Sequence, residues 1–231
     1  MTALVVTGTG TEVGKTIVTA AVAALALADG QKVTVVKPAQ TGVLPGEEAD
    51  IDVVRRLSGV ADAHELVRYD DPLAPATAAK RQGRSAVPVV ELIDEMAQWR
   101  HGDLLLVEGA GGLLVELDDE GRTVADIARG LEADFLVVTP AGLGSLNAVA
   151  LTCEALRHRG LGCRGVVIGS WPDDPGLAEQ CNLVDLPRYA QAVLLGAMPE
   201  HAGRLGASAF LDVARDGLAP ELGGTWHPEA L

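Results

Sequence analysis

The residues best suited to chemistry lie near the start of the chain, in GTGTEVGKT at positions 8–16. This stretch follows the apolar run ALVVTG and precedes an alanine-rich segment, which indicates a strand, a loop and a helix. Backbone N–H groups in such a loop bind phosphate, and the ammonium of Lys15 reaches the terminal phosphates. Thr16 offers a hydroxyl to Mg²⁺. The stretch therefore predicts a phosphate-binding loop (P-loop).

The spacing of this loop departs from the common GxxxxGK[ST], because Thr9 stands where the first glycine is expected, between Gly8 and Gly10. A dinucleotide-binding GxGxxG motif fits less well. Gly8 and Gly10 are followed by TEV, so the third glycine of that motif is missing. The spacing favours a triphosphate as the ligand.

A second cluster, VKPAQTG at 36–42, ends the next strand-like run. Lys37 and Thr41 at the carboxyl end of a parallel strand would point into the same crevice as the P-loop. Pro38 cannot donate to a strand ladder, so we expect the chain to turn there.

A third cluster, LVEGAGG at 106–112, places an acid directly after a buried apolar run. Glu108 would hold Mg²⁺ at the phosphate site, directly or through water. Gly109 and Gly111 would let the backbone approach the ligand. The three clusters together predict a magnesium-dependent nucleotide site.

Composition and charge restrict the classes of partner. The 231 residues carry 32 acidic and 18 basic side chains, a net charge of −14, which repels nucleic acids and anionic membranes. The three cysteines have no zinc spacing, and no apolar run approaches the roughly 18 residues of a membrane helix. We expect a cytoplasmic protein that binds neither nucleic acid nor membrane.

The order of apolar runs predicts the fold. Six runs rich in Val and Leu lack polar alternation, which is typical of strands buried on both faces. They begin near positions 3, 32, 103, 134, 163 and 192, and helical patterns cover 15–28, 88–99 and 145–159. Residues 45–85 are too long for a simple connection and should carry helices or a substrate-side loop. We predict one doubly wound domain over residues 1–231, with a mainly parallel sheet flanked by helices on both faces and an irregular, dispensable tail over 217–231.

Four motifs in one order resemble those of dethiobiotin synthetases: GTGTEVGKT, KPAQTG, VEGAGG and LGSLN at 143–147. LVEGAGGLLVEL and IGSWPDDPG resemble the actinobacterial members most. The resemblance covers most of the chain and implies a P-loop NTPase fold. It also implies ATP-dependent ring closure of 7,8-diaminononanoate with CO₂ in biotin biosynthesis, through a carbamate and a carbamic–phosphoric anhydride.

The resemblance also implies the roles of individual residues. Catalysis would use Thr11, Lys15 and Lys37. The nucleotide would be bound by Glu12, Val13, Gly14, Lys15, Thr16, Ile17, Asp50, Glu108, Gly109, Ala110, Gly111, Gly169, Ser170, Pro199, Glu200 and His201. The diamine or its carbamate would be bound by Thr11, Thr41, Ser145, Leu146 and Asn147. Mg²⁺ would be held by Thr16, Asp50 and Glu108, with Asp50 preferred over Asp52 within GEEADID.

Two further expectations come from the same resemblance. The carboxylate of the substrate would dock on the LGSLN turn of a partner subunit, where the backbone N–H groups of Ser145, Leu146 and Asn147 suit an anion, so a homodimer would share its sites. The position of Ser145 is equally compatible with an ordinary N-cap. Many members have Asn-Asp to recognise adenine where this chain has Gly169-Ser170. Nucleoside triphosphates other than ATP are therefore expected to serve as well.

Two other functions remain as alternatives from the sequence. One is a partitioning-type P-loop ATPase switch, although such proteins carry an extra lysine early in the loop. The other is the synthetase-like domain of a cobyrinate amidotransferase, which also needs a glutaminase domain with a nucleophilic cysteine.

Overall fold

A computed structural model of the chain describes residues 2–99 and 102–227. The strands are β1 (Thr2–Gly8), β2 (Val33–Thr41), β3 (Ala63–Tyr69), β4 (Leu104–Gly112), β5 (Asp134–Thr139), β6 (Cys163–Trp171) and β7 (Leu194–Pro199). The helices are α1 (Lys15–Ala28), α2 (Asp50–Ser58), α3 (Pro75–Gln82), α4 (Val89–Gln98), α5 (Val124–Gly130), α6 (Ser145–His158), α7 (Leu177–Ala190) and α8 (Ala207–Gly217). Short 3-10 turns cover Ala202–Arg204 and Pro220–Leu222.

The seven strands form one sheet in the order β3-β2-β4-β1-β5-β6-β7, and all recorded strand pairs are parallel. Central residues such as Val5 on β1 and Val107 on β4 are fully buried, because helices cover both faces of the sheet. Helices α1, α2 and α8 pack together, as do α6 with α7 and α4 with α5. The predicted doubly wound fold is confirmed.

Parallel strands bring their carboxyl ends to one edge of the sheet, and this edge positions the site. At that edge the P-loop follows β1, residues 42–49 follow β2, and the segment before α6 follows β5. Among the described residues, no helix has both the length and the apolar character needed to cross a bilayer.

The prediction that the chain turns at Pro38 is wrong, because β2 runs on to Thr41. Pairing of β2 with β4 ends at Val36 opposite Val107, whereas pairing with β3 continues to Thr41 opposite Tyr69. Beyond Val36 the strand is paired on one side only. A proline is tolerated there because no ladder bond is required of it on the open side.

Residues 45–85 carry α2, β3 and α3, so the region contains an edge strand in addition to the expected helices. The final segment is packed rather than loose. Leu218 forms a bridge with Gly196, and Trp226 is buried in the core cluster. That the tail is dispensable stays a prediction, although removal of residues 217–227 would expose this surface; Pro228–Leu231 lie outside the described residues.

Candidate active site

The P-loop lies between the end of β1 at Gly8 and the start of α1 at Lys15. Among the described residues, the backbone N–H groups of positions 10–17 have no hydrogen-bond acceptor. Gly14, the N-cap of α1, has a φ of 92°, a conformation that side chains disfavour. Consecutive free donors at a helix N-terminus form an anion-binding nest.

Four side chains converge beside this loop. The Lys37 Nζ lies 2.6 Å from Asp50 Oδ2 and 2.7 Å from Glu108 Oε1. The Thr16 hydroxyl donates to the same Glu108 oxygen at 2.9 Å. The side chains of Lys37 and Glu108 are only 4% and 2% exposed, whereas that of Asp50 is 35% exposed. The ion pair is therefore largely shielded from water, and Asp50 is its outermost member.

Sheet register explains the inner pair. Val36 on β2 lies opposite Val107 on β4, so the next residues, Lys37 and Glu108, are neighbours. Asp50 joins them as the first residue of α2. Asp52 faces away, because its carboxylate accepts from the Ala49 N–H at 3.2 Å and pairs with Arg55 at 3.4 Å. This geometry supports the choice of Asp50 over Asp52.

The charges shift one another's pKa. Burial lowers the pKa of Lys37, but Glu108 and Asp50 raise it more, so the net shift is upward. Burial raises the pKa of Asp50, yet the adjacent Lys37 ammonium lowers it further, so the net shift is downward. Burial and then repulsion from Lys37 lower the pKa of Lys15. The Lys37–Asp50 pair is thus fully charged at neutral pH.

A cavity of about 780 Å³ opens beside this cluster. Its lining joins predicted residues from separate parts of the chain: Thr11, Glu12, Val13, Gly14, Lys15, Thr16, Lys37, Thr41, Asp50, Ala110 and Gly111. An apolar wall that the sequence did not reveal adds Pro72, Leu73, Pro75 and Val115. The volume suits an organic ligand together with phosphate groups.

The predicted base-reading residues lie outside this cavity. Gly169 packs against the P-loop, and a Cβ placed on it would lie 2.0 Å from the carbonyl oxygen of Val13. No side chain fits at that position in this backbone, so residue 169 offers no side-chain amide to a base. Ser170 and His201 are exposed, and Pro199 and Glu200 are half-buried.

Asp173 is a further residue near Glu200 and His201 that sequence reasoning missed. Its N–H donates to Glu200 Oε1 at 3.0 Å, and the polar atoms of the three side chains lie within 4.8 Å of one another. The sequence gives no signal for this grouping, because Asp173 follows β6 whereas the other two follow β7.

The LGSLN turn starts α6, but its residues do not line the cavity of this chain. The N-cap is Gly144, with a φ of 92°, so the interpretation of Ser145 as an N-cap is wrong. The Ser145 N–H and hydroxyl both donate to the carbonyl of Gly142. Within the described chain, the Ser145 N–H is therefore engaged, whereas the N–H groups of Leu143, Gly144, Leu146 and Asn147 have no acceptor.

A buried side chain outside all four motifs fixes this turn. Asn182 on α7 donates through Nδ2 to the carbonyls of Ala141 and Gly142, at 2.7 and 3.1 Å, and to the Ser145 hydroxyl at 3.1 Å. A polar residue within a helix is usually exposed, so the sequence did not single it out.

Solved structures share this fold at low sequence identity. MinD of Pyrococcus horikoshii, a septum site-determining protein complexed with Mg-ADP, aligns with a TM-score of 0.56 and 17% identity, covering 93% of this chain and 94% of that one. The McdA–ATP complex of Cyanothece gives 0.55 and 16%, over 96% of this chain and 90% of that one. These likenesses show the fold alone.

Sequence relatives are far closer. The AAA domain family matches residues 2–203. The ATP-dependent dethiobiotin synthetase BioD of Frankia casuarinae is 60% identical, with 99% of this chain and 97% of that protein covered. The same-named protein of Streptomyces avermitilis is 56% identical, with 100% and 98% covered. The chain belongs to the family of ATP-dependent dethiobiotin synthetases, within the AAA domain family.

Proposed function

We propose that the chain inserts CO₂ between the two vicinal amines of 7,8-diaminononanoate and closes the ureido ring of dethiobiotin at the expense of ATP. ATP-dependent dethiobiotin formation in biotin biosynthesis follows from membership of the family. The observation that carries the detailed mechanism is the shielded Lys37 ammonium, held by two carboxylates beside the P-loop nest.

The proposed reaction has three steps. One amine attacks CO₂, which forms a C–N bond and, with loss of a proton, a carbamate. A carbamate oxygen then attacks the γ-phosphorus of ATP, the bond to the bridging oxygen breaks, and ADP leaves. The second amine attacks the carbamoyl carbon, the C–O bond to phosphate breaks, and a second proton is lost. The products are dethiobiotin, ADP and phosphate.

Negative charge builds up on the carbamate and on the transferring phosphoryl group, so fixed cations should dominate the acceleration. Lys15 and Lys37 provide two such cations at one cavity. Thr11 and Thr41 line the same cavity and would orient the diamine or carbamate. The apolar wall, with Pro72 and Leu73, suits the alkyl chain of the substrate.

The Thr16 hydroxyl and the carboxylates of Asp50 and Glu108 form the oxygen donor set that Mg²⁺ prefers. Their convergence on one point supports this role, since Thr16 and Lys37 contact the same Glu108 oxygen. Bound Mg²⁺ would neutralise phosphate charge during transfer. The Lys37 ammonium would then orient the carboxylates on one side and stabilise the carbamate on the other.

A homodimer would complete the substrate site. The Leu146 and Asn147 N–H groups at the start of α6 suit a carboxylate, yet they lie outside the cavity of their own chain. Leu143 before α6 is 92% exposed, and Leu177 and Val184 on α7 are exposed as well. Apolar side chains around an anion-binding turn fit a second copy that presents the turn to the neighbouring cavity.

Asn147→Asp tests the shared site. A carboxylate in the first turn favours the helix but repels the carboxylate of the substrate, so we expect a severalfold higher KM for the diamine with an unchanged or higher Tm. At low diamine, mixing with Lys37→Ala subunits should restore about a quarter of wild-type activity, because each hybrid dimer keeps one intact site. A mixture no more active than its two components would exclude a site shared between subunits.

The function as a whole is tested by ATP turnover with and without diaminononanoate and bicarbonate, with dethiobiotin measured by mass spectrometry. We expect ADP release to depend on both co-substrates and to match dethiobiotin formation mole for mole. ATP turnover that does not depend on the diamine would instead favour a partitioning-type switch.

The three free thiols and the net charge of −14 support a cytoplasmic location without nucleic acid or membrane as partner.

A further inference from the structure

Gln40 on β2 is a buried amide, 5% exposed, for which neither the motifs nor the proposed mechanism provides a role. Its Oε1 accepts from the backbone N–H of Asp50 at 3.1 Å, and its Nε2 donates to the carbonyl of Thr41 at 3.2 Å. The side chain therefore joins the end of β2 to the first residue of α2. A buried amide with both ends paired is costly to disturb.

At the start of α2, the backbone N–H groups are bound by side chains other than that of the N-cap residue. A helix leaves its first N–H groups without intrahelical partners, and the N-cap residue usually supplies a side-chain acceptor. Here the N-cap is Ala49, which has none. Asp52 accepts from the Ala49 N–H, and Gln40 accepts from the Asp50 N–H. Two side chains thus cap the same helix end at neighbouring positions, one on each N–H group.

Only one of these caps acts on a residue of the ion cluster. Glu108 lies in the middle of the sheet and is fixed by strand pairing, whereas Asp50 reaches Lys37 from a helix start and is 35% exposed. Holding the Asp50 N–H fixes the direction in which its carboxylate points. Loss of that hydrogen bond would let the first turn of α2 shift and lengthen the 2.6 Å contact with Lys37.

We propose that Gln40 is a positioning residue: by capping α2 at Asp50, it aims that carboxylate at Lys37 and at the Mg²⁺-nucleotide site. This inference rests on the role proposed above for Asp50. Gln40 also lines the cavity, but both ends of its amide are engaged by Asp50 and Thr41, so it acts through Asp50 and not by contact with the nucleotide.

Gln40→Met tests the proposal, because it keeps much of the side-chain volume and removes the acceptor; Gln40→Ala is the second variant should Met disturb folding. Asp52→Ala is the matched control, since it removes the neighbouring cap of the same helix without touching the Asp50 N–H. Calorimetry would measure ATP affinity with and without Mg²⁺, and thermal unfolding would report the stability of each variant.

We expect Gln40→Met to weaken Mg²⁺-dependent ATP affinity about tenfold, near the upper limit for one lost hydrogen bond, and affinity without Mg²⁺ to change less than about twofold. Asp52→Ala should lower Tm but leave the Mg²⁺-dependent affinity within about twofold. In an Asp50→Ala background, Gln40→Met should have no further effect, because the residue it positions is gone.

Three results would overturn the proposal. Equal losses of Mg²⁺-dependent affinity in Gln40→Met and Asp52→Ala would mean that only helix stability matters. Equal losses with and without Mg²⁺ would mean that Gln40 contacts the nucleotide directly. Full Mg²⁺-dependent affinity in Asp50→Ala alone would remove the role of Asp50, a failure of the proposed site that is recognisable before any Gln40 variant is measured.

Discussion

The two ends of the expected nucleotide site differ sharply in construction. At the phosphate end, Lys37 and Glu108 are buried, Thr16 and Asp50 join them, and the P-loop adds a row of free N–H donors. At the base end, Gly169 admits no side chain and Ser170 is exposed. Preorganised charge in a dry site contributes far more than exposed polar groups. Binding energy should therefore be concentrated on the triphosphate, which every nucleotide shares.

Replacement of a phosphate-end lysine should have the largest effect. Lys15→Ala and Lys37→Ala are each expected to raise the barrier by about 2–4 kcal/mol, the scale for losing one preorganised donor. The measurement is kcat/KM for dethiobiotin formation, with Arg204→Ala, near the base end, as the control expected to stay within about threefold. Near-normal turnover of Lys37→Ala would remove Lys37 from the mechanism.

Truncation of the buried carboxylate should also affect the fold. Glu108→Ala leaves the Lys37 ammonium shielded from water with one partner fewer, so we expect about 3 kcal/mol lower stability in addition to weaker Mg²⁺-nucleotide binding. Thr16→Val and Asp50→Ala should weaken the same binding at smaller cost, because both side chains reach solvent. Denaturant unfolding of the three variants, with calorimetry on each, separates the two effects. Equal stability of Glu108→Ala and Asp50→Ala would contradict the difference in burial.

Exchange of the base should have a small effect. With no side chain at 169 and an exposed one at 170, little is left unpaired when adenine is replaced. We expect CTP, GTP or UTP to support ring closure at rates comparable with ATP, measured as dethiobiotin formed at matched Mg²⁺. A preference for ATP above roughly a hundredfold, about 2.7 kcal/mol, would show that other groups recognise adenine.

The smallest expected effect is the loss of stability when acid protonates Asp50 in the Lys37–Asp50 pair. Because the pKa of Asp50 lies below its ordinary value in the folded chain, its contribution to stability is complete near neutral pH and is lost only below about pH 4. Asp50→Asn should therefore show a smaller fall in Tm between pH 5 and pH 3 than the wild-type chain. An identical fall in both would mean that the pair does not stabilise the fold.

Regions with strong local signals were predicted well. The P-loop, α1 and the central strands follow from short contiguous patterns. A buried parallel strand and a glycine-rich phosphate loop can each be recognised from about ten consecutive residues. The edge strand β3, AHELVRY, was missed because it is short and only partly buried. Helix α5 covers seven residues, too few to display a helical period clearly.

The order of loop, lysine, acid and helix start in the sequence is enough to predict a nucleotide-binding site with its polar groups on consecutive elements. Which side chains lie together depends on the packing of the whole chain. Strand register places Lys37 beside Glu108, and the start of α2 brings Asp50 to them. At Gly169, the backbone of the P-loop lies too close to leave room for a side chain. These outcomes depend on distances between segments far apart in the chain, and local patterns carry no record of such distances.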